Sequence, residues 1–301
     1  MNLRKPLILR NPSLPPGWYP RQAEEIRRFL GPFKRPASGL SGPDEPDDSP
    51  ANKGRAAVTP HAGWYYSGAV AARAVSSLDP AAQTVVVAGG HLPAGYPVLA
   101  APEDAAATPL GDIMMDAEFR DIVQKELRCA PDQYRDNTVE VLLPMVKYFF
   151  PEARLVWLRL PAENSSLEAG RIIARAAARL GRKTVLLGST DLTHYGDNYG
   201  YSPAGRGQKA LDWVRNVNDA GFIRAVLEDK PEEALRHAET SLSACSAGAV
   251  LACLGFARET HAGPAELLAY STSADVSLAD GESAPDSFVG YAAVSWKEVR
   301  S

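Results

Sequence analysis

The feature that most restricts the fold is a set of short apolar runs without alternation, TVVVA at Thr84–Ala88 and TVLLG at Thr184–Gly188. A strand with one wet face alternates apolar and polar side chains, so continuous apolar runs mark strands covered on both faces. Further strand-forming runs fall at Ala56–Thr59, Pro97–Ala101, Arg154–Leu160, Leu267–Ser271 and Phe288–Trp296. Between them the apolar spacing predicts helices over Gly68–Ser77, Asp116–Arg128, Val139–Phe149 and Ser166–Leu180. Two more are predicted over Pro203–Glu228, in one or two pieces, and Ser243–Arg258. Strands alternating with helices predict an α/β chain, a three-layer α/β/α sandwich around a mixed, mostly parallel sheet. The last strand, FVGYAAVSW, is longer and closer to alternation, which predicts an antiparallel or edge position.

One segment breaks this pattern. Pro36–Arg55 is rich in Pro, Gly, Ser and Asp and has no apolar face, so it reads as an exposed loop and a candidate for disorder. It follows a predicted helix near Arg21–Leu30, and the roughly 35 residues before it are too few for a domain of their own. Residues 1–301 are therefore expected to form a single domain. Three cysteines with no close pair exclude a disulfide scaffold or a zinc ribbon. The N-terminal apolar run is too short for a signal-peptide core and no later stretch approaches a membrane span, so a cytoplasmic location is expected. A formal charge of −4 without a basic stripe excludes a nucleic-acid binder. P-loop, GxGxxG and HExxH patterns are absent.

The histidines carry the functional signal. The chain has five, and three follow predicted strands: His61 ends AAVTPH, His91 ends VVVAGGH and His194 ends TVLLGSTDLTH. In open α/β sheets ligands bind beyond the carboxyl ends of the strands, so parallel neighbours would bring these imidazoles into one crevice. His237 and His261 lie in polar surroundings and read as surface residues. Imidazoles held by a rigid sheet suit a metal ion. The third ligand stays open among Asp191 of STDLTHYG, Glu140 of NTVEVLLP and Cys245 of SLSACSAGAV. A carboxylate would complete the facial triad of non-haem iron, and a thiolate would suit zinc or copper as well. Cys245 opens a small-residue helical stretch, where a helix N-terminus favours the thiolate. A competing chemistry is a thiol hydrolase with Cys245 as nucleophile, His194 as base and Asp191 as the orienting acid, which leaves His61 and His91 idle.

Taken together, RNPSLPPGWYP, PHAGWYYSG, GGHLPAG, TPLGDIMMD, NTVEVLLPMVKYF, GSTDLTHYG, ACSAG, AYSTSAD and VGYAAVSW resemble, in this order, the Memo family. Its bacterial members carry the label AmmeMemoRadiSam system protein B. The resemblance implies a fold like that of class III extradiol dioxygenases, which use non-haem Fe(II) and O₂. It implies His61, His91 and Cys245 as metal ligands, with Asp191 and His194 in the same pocket as catalytic residues. Fe(II) is the implied metal, with Zn and Cu as alternatives, and an oxidoreductase the implied activity. Three departures from the family pattern stand out: Asp136-Asn137-Thr138 in place of Glu-His-Ser, Gly90 in place of Asn, and Ser246 in place of Gly.

The leading expectation is thus a mononuclear iron protein in which His194 moves a proton, Asp191 orients it, and Tyr65, Tyr66 and Tyr195 shape the pocket. The alternative is a module that uses the pocket for a small-molecule or peptide ligand, since animal relatives are associated with receptor signalling and phosphotyrosine peptides. The bacterial label also implies radical-SAM and AMMECR-type partner proteins. This chain lacks the CxxxCxxC of a radical enzyme.

Overall fold

A computed structural model describes residues 6–34, 53–279, 281 and 283–299. The strands are β1 (Leu9–Arg10), β2 (Gly54–Thr59), β3 (Thr84–Leu92), β4 (Leu99–Ala100), β5 (Ala105–Ala106) and β6 (Ile113–Met114). They continue with β7 (Ala130–Pro131), β8 (Arg154–Pro161), β9 (Thr184–Ser189), β10 (His194–Tyr195), β11 (Ala265–Thr272) and β12 (Phe288–Lys297). The helices are α1 (Ala23–Leu30), α2 (Trp64–Ser77), α3 (Ala117–Leu127), α4 (Asn137–Glu140), α5 (Leu143–Phe149) and α6 (Ser165–Leu180). After them come α7 (Gly207–Trp213), α8 (Asp219–Leu227), α9 (Pro231–Ser241), α10 (Ala247–Glu259) and α11 (Ala274–Ala279). Residues 36–52 of the expected loop lie outside the described residues, and its last two, Gly54 and Arg55, already belong to β2.

The large sheet runs β10-β12-β2-β9-β3-β8-β4-β7, with β11 on β12. Its centre, β2-β9-β3-β8, is parallel, and β12 and β11 are antiparallel. The unalternating runs explain the layering. Val85, Val87, Val185 and Leu187 pack with α1, α2 and α5 on one face, while Val86, Ala88 and Leu186 pack with α6 and α10 on the other. This is the predicted α/β sandwich. Helices α6 and α10 touch so closely that a Cβ on Gly170 would lie 2.0 Å from the Ala252 carbonyl oxygen.

The structure refines three of these expectations, each for an identifiable reason. FVGYAAVSW is antiparallel but internal: Tyr291 and Ala293 face one core and Ala292 and Val294 the other, so both of its faces are covered. The edge is β11. The helix expected over Val139–Phe149 breaks into α4 and α5, because Pro144 in the first turn of α5 lacks an N–H and cannot extend a preceding helix. The segment Pro203–Glu228 becomes α7, a five-residue π-turn at Val214–Asn218, and α8. Helix α9, which starts on Pro231, was not anticipated.

Glu140, one of the three candidate ligands, has a structural task instead. Its buried carboxylate accepts hydrogen bonds from the Ser13 amide (2.8 Å), the Leu14 amide (2.9 Å), the Ser13 hydroxyl and Tyr19 Oη. It thereby pins the N-terminal segment that carries Trp18 against α4. Glu140→Ala leaves those donors unpaired in a buried place, and we expect roughly 3 kcal/mol of lost stability in denaturant unfolding. Glu140→Gln, which keeps an acceptor, is expected to lose less.

Candidate metal centre

The carboxyl ends of β2, β3 and β9 open on one crevice, as a parallel sheet requires. His61 leaves β2 after Pro60 and is buried; its amide donates to Asp191 Oδ1 at 2.7 Å, and its Nδ1 pairs with Ser189 Oγ at 2.8 Å. His91 stands where β3 loses register with β8, between Gly89 and Leu92, at φ 57°. This local kink takes its ring out of the ladder and into the crevice. Its Nδ1 pairs with Asp136 Oδ2 at 3.0 Å. Cys245 arrives from a third direction, two residues before α10, with its amide on the Asp191 carbonyl and its Sγ 3.3 Å from His61 Nε2. The helix therefore begins later than expected, with Ser246 as its cap residue.

One donor atom from each of His61, His91 and Cys245 lies within 4.8 Å of the others. Two donors on one ion can stand at most about 4.4 Å apart, from bonds of about 2.1 Å to nitrogen and 2.3 Å to sulfur, so a small contraction closes the set. Each ring has its Nδ1 held by an outer partner, which orients the ring and leaves Nε2 for the centre, the arrangement common to metal-binding histidines. Charge is arranged to match. Burial opposes a thiolate at Cys245, yet the adjacent His61 and His91 hold the thiol well below its ordinary range. Burial likewise opposes protonation of the rings. Asp191 and Cys245 nevertheless raise His61, and Asp136 and Cys245 raise His91 to about 10. The two rings thus hold protons that a bound cation would replace.

The departures at 136–138 all serve this centre. Asp136 is half-buried, and although desolvation opposes its charge, its bonds to His91 and Thr138 and the charge of Arg159, 3.2 Å away, lower it to about 2. Asn137 donates to the His61 carbonyl, and Thr138 Oγ1 receives the Gly90 amide. Gly90 and Ser246 are one exchange: a Cβ on Gly90 would fall 2.3 Å from both Ser246 Cβ and Oγ. The side chain absent at 90 is supplied from 246, whose hydroxyl accepts the His91 amide and stands 3.7 Å from Cys245 Sγ.

Asp191 and His194 join the site differently from expectation. Asp191 holds the His61 amide, and its Oδ2 lies 3.8 Å from His61 Nε2; burial raises its carboxyl against the pull of His61. It does not orient His194, whose Nδ1 instead bonds the Leu192 carbonyl at 3.1 Å. The imidazole against Cys245 is His61, so no Cys245–His194–Asp191 triad forms among the described hydrogen bonds.

A cavity of about 400 Å³ adjoins the cluster and includes His194 in its wall. Tyr66 lines it as expected, whereas Tyr65 points to solvent and Tyr195 is buried against Phe288. The other aromatic walls, Trp18, Tyr199 and Tyr291, were missed; Trp18 stands in the quoted GWYP and Tyr199 five residues past His194. Also missed was the support under the loop. Asp219 accepts from the Thr193 amide, the Thr193 hydroxyl and Tyr270 Oη, and Asn218 donates to Thr193 Oγ1. The π-turn ends at Asn218, and such turns often mark functional sites. His237 pairs with Ser243 and His261 is exposed, both away from the cluster.

Residues 10–295 match the family model described as Memo-like protein. A MEMO1 family protein of Pyrococcus horikoshii is 34% identical over 80% of this chain and 86% of its own length. Another, of Pyrococcus abyssi, is 31% identical over 95% of this chain and 99% of its own length. Among solved structures, the crystal structure of uncharacterized protein JW3007 from Escherichia coli K12 has a TM-score of 0.44 at 12% identity. That likeness covers 79% of this chain and 98% of that chain. Among the described residues no helix is long and apolar enough to cross a membrane.

Gly90→Ala should cost about 1–3 kcal/mol by overpacking. Thermal unfolding of the Gly90→Ala, Ser246→Gly double mutant should regain part of that loss, a coupling that independent sites would not show. Asp219 gives a pH signature. Burial raises its carboxyl to about 7, against the Thr193 and Tyr270 donors. The native state then binds a proton that the unfolded chain releases near pH 4, so this contribution is present below about pH 4 and lost as pH rises to about 7. The stability difference between wild type and Asp219→Asn should change by about 1.4 kcal/mol per pH unit within that window. A flat difference would mean that Asp219 is ionised throughout.

Proposed function

This chain belongs to the Memo family, and we propose that it is a mononuclear non-haem iron protein performing redox or O₂-dependent chemistry on a ligand held in the adjoining cavity. The observation that carries this reading is the convergence of His61, His91 and Cys245 with both Nδ1 atoms already engaged. Two nitrogens and a thiolate suit iron, zinc and copper alike, and iron is the metal that the dioxygenase resemblance implies. When bound, iron would supply one-electron redox chemistry toward dioxygen, which zinc would not.

The chain's own residues supply the rest. His61, His91 and Cys245 hold the metal, with Ser189 and Asp136 fixing the two rings. His194, its Nδ1 proton on the Leu192 carbonyl, lines the cavity with Nε2 left to take a proton from a ligand hydroxyl. Asp191 fixes the His61 backbone and adds negative charge beside the donors. Trp18 and Tyr66 wall the cavity and limit water.

Elemental analysis of protein purified without oxygen or chelator tests this. Near one iron per chain is expected for the wild type, with loss in His61→Ala, His91→Ala and Cys245→Ser. Asp136→Asn should weaken binding by about 10–100-fold. Absence of metal, or metal indifferent to these changes, would leave a pocket used for recognition alone.

A further inference from the structure

The Tyr270–Asp219 support under the His194 loop also has an outer side. There α8 and the edge strand β11 leave a groove of about 400 Å³. Ala220, Ile223 and Leu227 form its helical wall, at a spacing that puts them on one face of α8, and Leu267 and Tyr270 form the other wall. Leu267 is 42% exposed on an edge strand beside that apolar helix face, a setting that marks a binding groove and not a scattered surface residue. Three charged residues complete the lining, and two are matched. Arg215 of the π-turn pairs with Asp275, and Glu228 pairs with Lys230 at 2.6 Å. Arg224 is exposed and forms no ion pair among the described residues. One cation is thus left over beside an apolar floor. The groove also reaches inward. Tyr270 Oη donates to Asp219 at 2.7 Å, and Asp219 holds the Thr193 amide at 3.1 Å, next to His194.

We propose that this groove is an effector site for a carboxylate with an unbranched apolar tail, and that its occupant steadies the His194 loop through Tyr270 and Asp219. The proposal does not require a metal. From Ala220 to Leu227 the helix covers about 10 Å, the length of a chain of roughly eight carbons. Burial of such a tail against Ile223, Leu227 and Leu267 supplies the attraction. The unmatched Arg224 guanidinium selects an anionic head, and its planar fork pairs with a carboxylate through two hydrogen bonds. A tail packed on Tyr270 restricts that side chain. Its hydroxyl anchors Asp219, so local opening around Thr193 becomes rarer.

The test is titration of the 301-residue chain at neutral pH with octanoate and with octylammonium, followed by NMR chemical shifts. The probes share the tail and differ in the sign of the head. Octanoate is expected to bind with a Kd of about 1 mM or tighter, a modest efficiency for its roughly ten non-hydrogen atoms. Octylammonium should bind about fivefold more weakly, and Arg224→Glu should invert that preference. Leu267→Ser, which strips the apolar wall, should weaken both probes by about threefold. In hydrogen exchange, octanoate should slow the Thr193 amide by about threefold or more in the wild type. Tyr270→Phe, which keeps the ring and lacks the hydroxyl, should still bind octanoate and lose that slowing. Failure of octanoate to bind, equal binding of the two probes, or a Thr193 amide indifferent to octanoate would each overturn the proposal. A dimer in sedimentation that octanoate dissociates would do so too, since a second copy of the chain would then be the natural occupant of the groove.

Discussion

Residues Ser189–His194 tie the donor loops together, and the geometry of the centre depends on that tie. Asp191 accepts the His61 amide on its side chain and the Cys245 amide on its carbonyl, so a single residue links the loop after β2 to the approach to α10. Thr190 bonds back to Thr59 through its amide and receives the Ser246 amide on its hydroxyl. Ser189 holds the His61 ring, and the Leu192 carbonyl holds that of His194. A carboxylate buried this deeply is costly unless its oxygens are paired. Asp191 meets that condition by bonding the backbone of a proposed ligand, so stability and site geometry depend on the same contact.

His91 lies outside this tie and is held by a separate chain of charges. Asp136 grips its ring, Arg159 grips Asp136 and the Gly90 carbonyl, and Asp132 lies against Arg159. Trp157 donates to Asp132 at 3.0 Å, so the chain is anchored in the core. Buried charges of this kind stabilise only when each has its partners, and their arrangement specifies one position for the ring. The site is thus held from two sides: backbone amides around His61 and Cys245, and ionised side chains behind His91.

The sequence showed the layers and the convergence of His61, His91 and His194, because both follow from where apolar runs end. TVVVA and TVLLG could only be central strands, and a parallel centre puts the following residues on one rim. Spacing could not choose among Asp191, Glu140 and Cys245, since that choice depends on contacts distant in sequence. Glu140 faces Ser13 and Tyr19 across more than a hundred residues of chain, and no local pattern records such a contact. Asp219 and Tyr270 were hidden for the same reason. The expected Asp191–His194 hydrogen bond is replaced by one from His194 Nδ1 to the Leu192 carbonyl.

The departures from the family pattern show how substitutions near a site can be read as packing. Gly90 alone would leave a gap beside His91, and Ser246 alone would collide with a side chain at 90; together they fill one space. The Ser246 hydroxyl accepts the His91 amide, and Thr190 commits its own proton to the Asp191 carbonyl. Ser246 therefore keeps a proton to donate, and Cys245 Sγ at 3.7 Å is the acceptor beside it. A hydrogen bond to a thiolate draws charge from the sulfur and weakens its donation to a metal. The exchange thus preserves the packing around His91 while placing a hydroxyl 3.7 Å from the Cys245 sulfur.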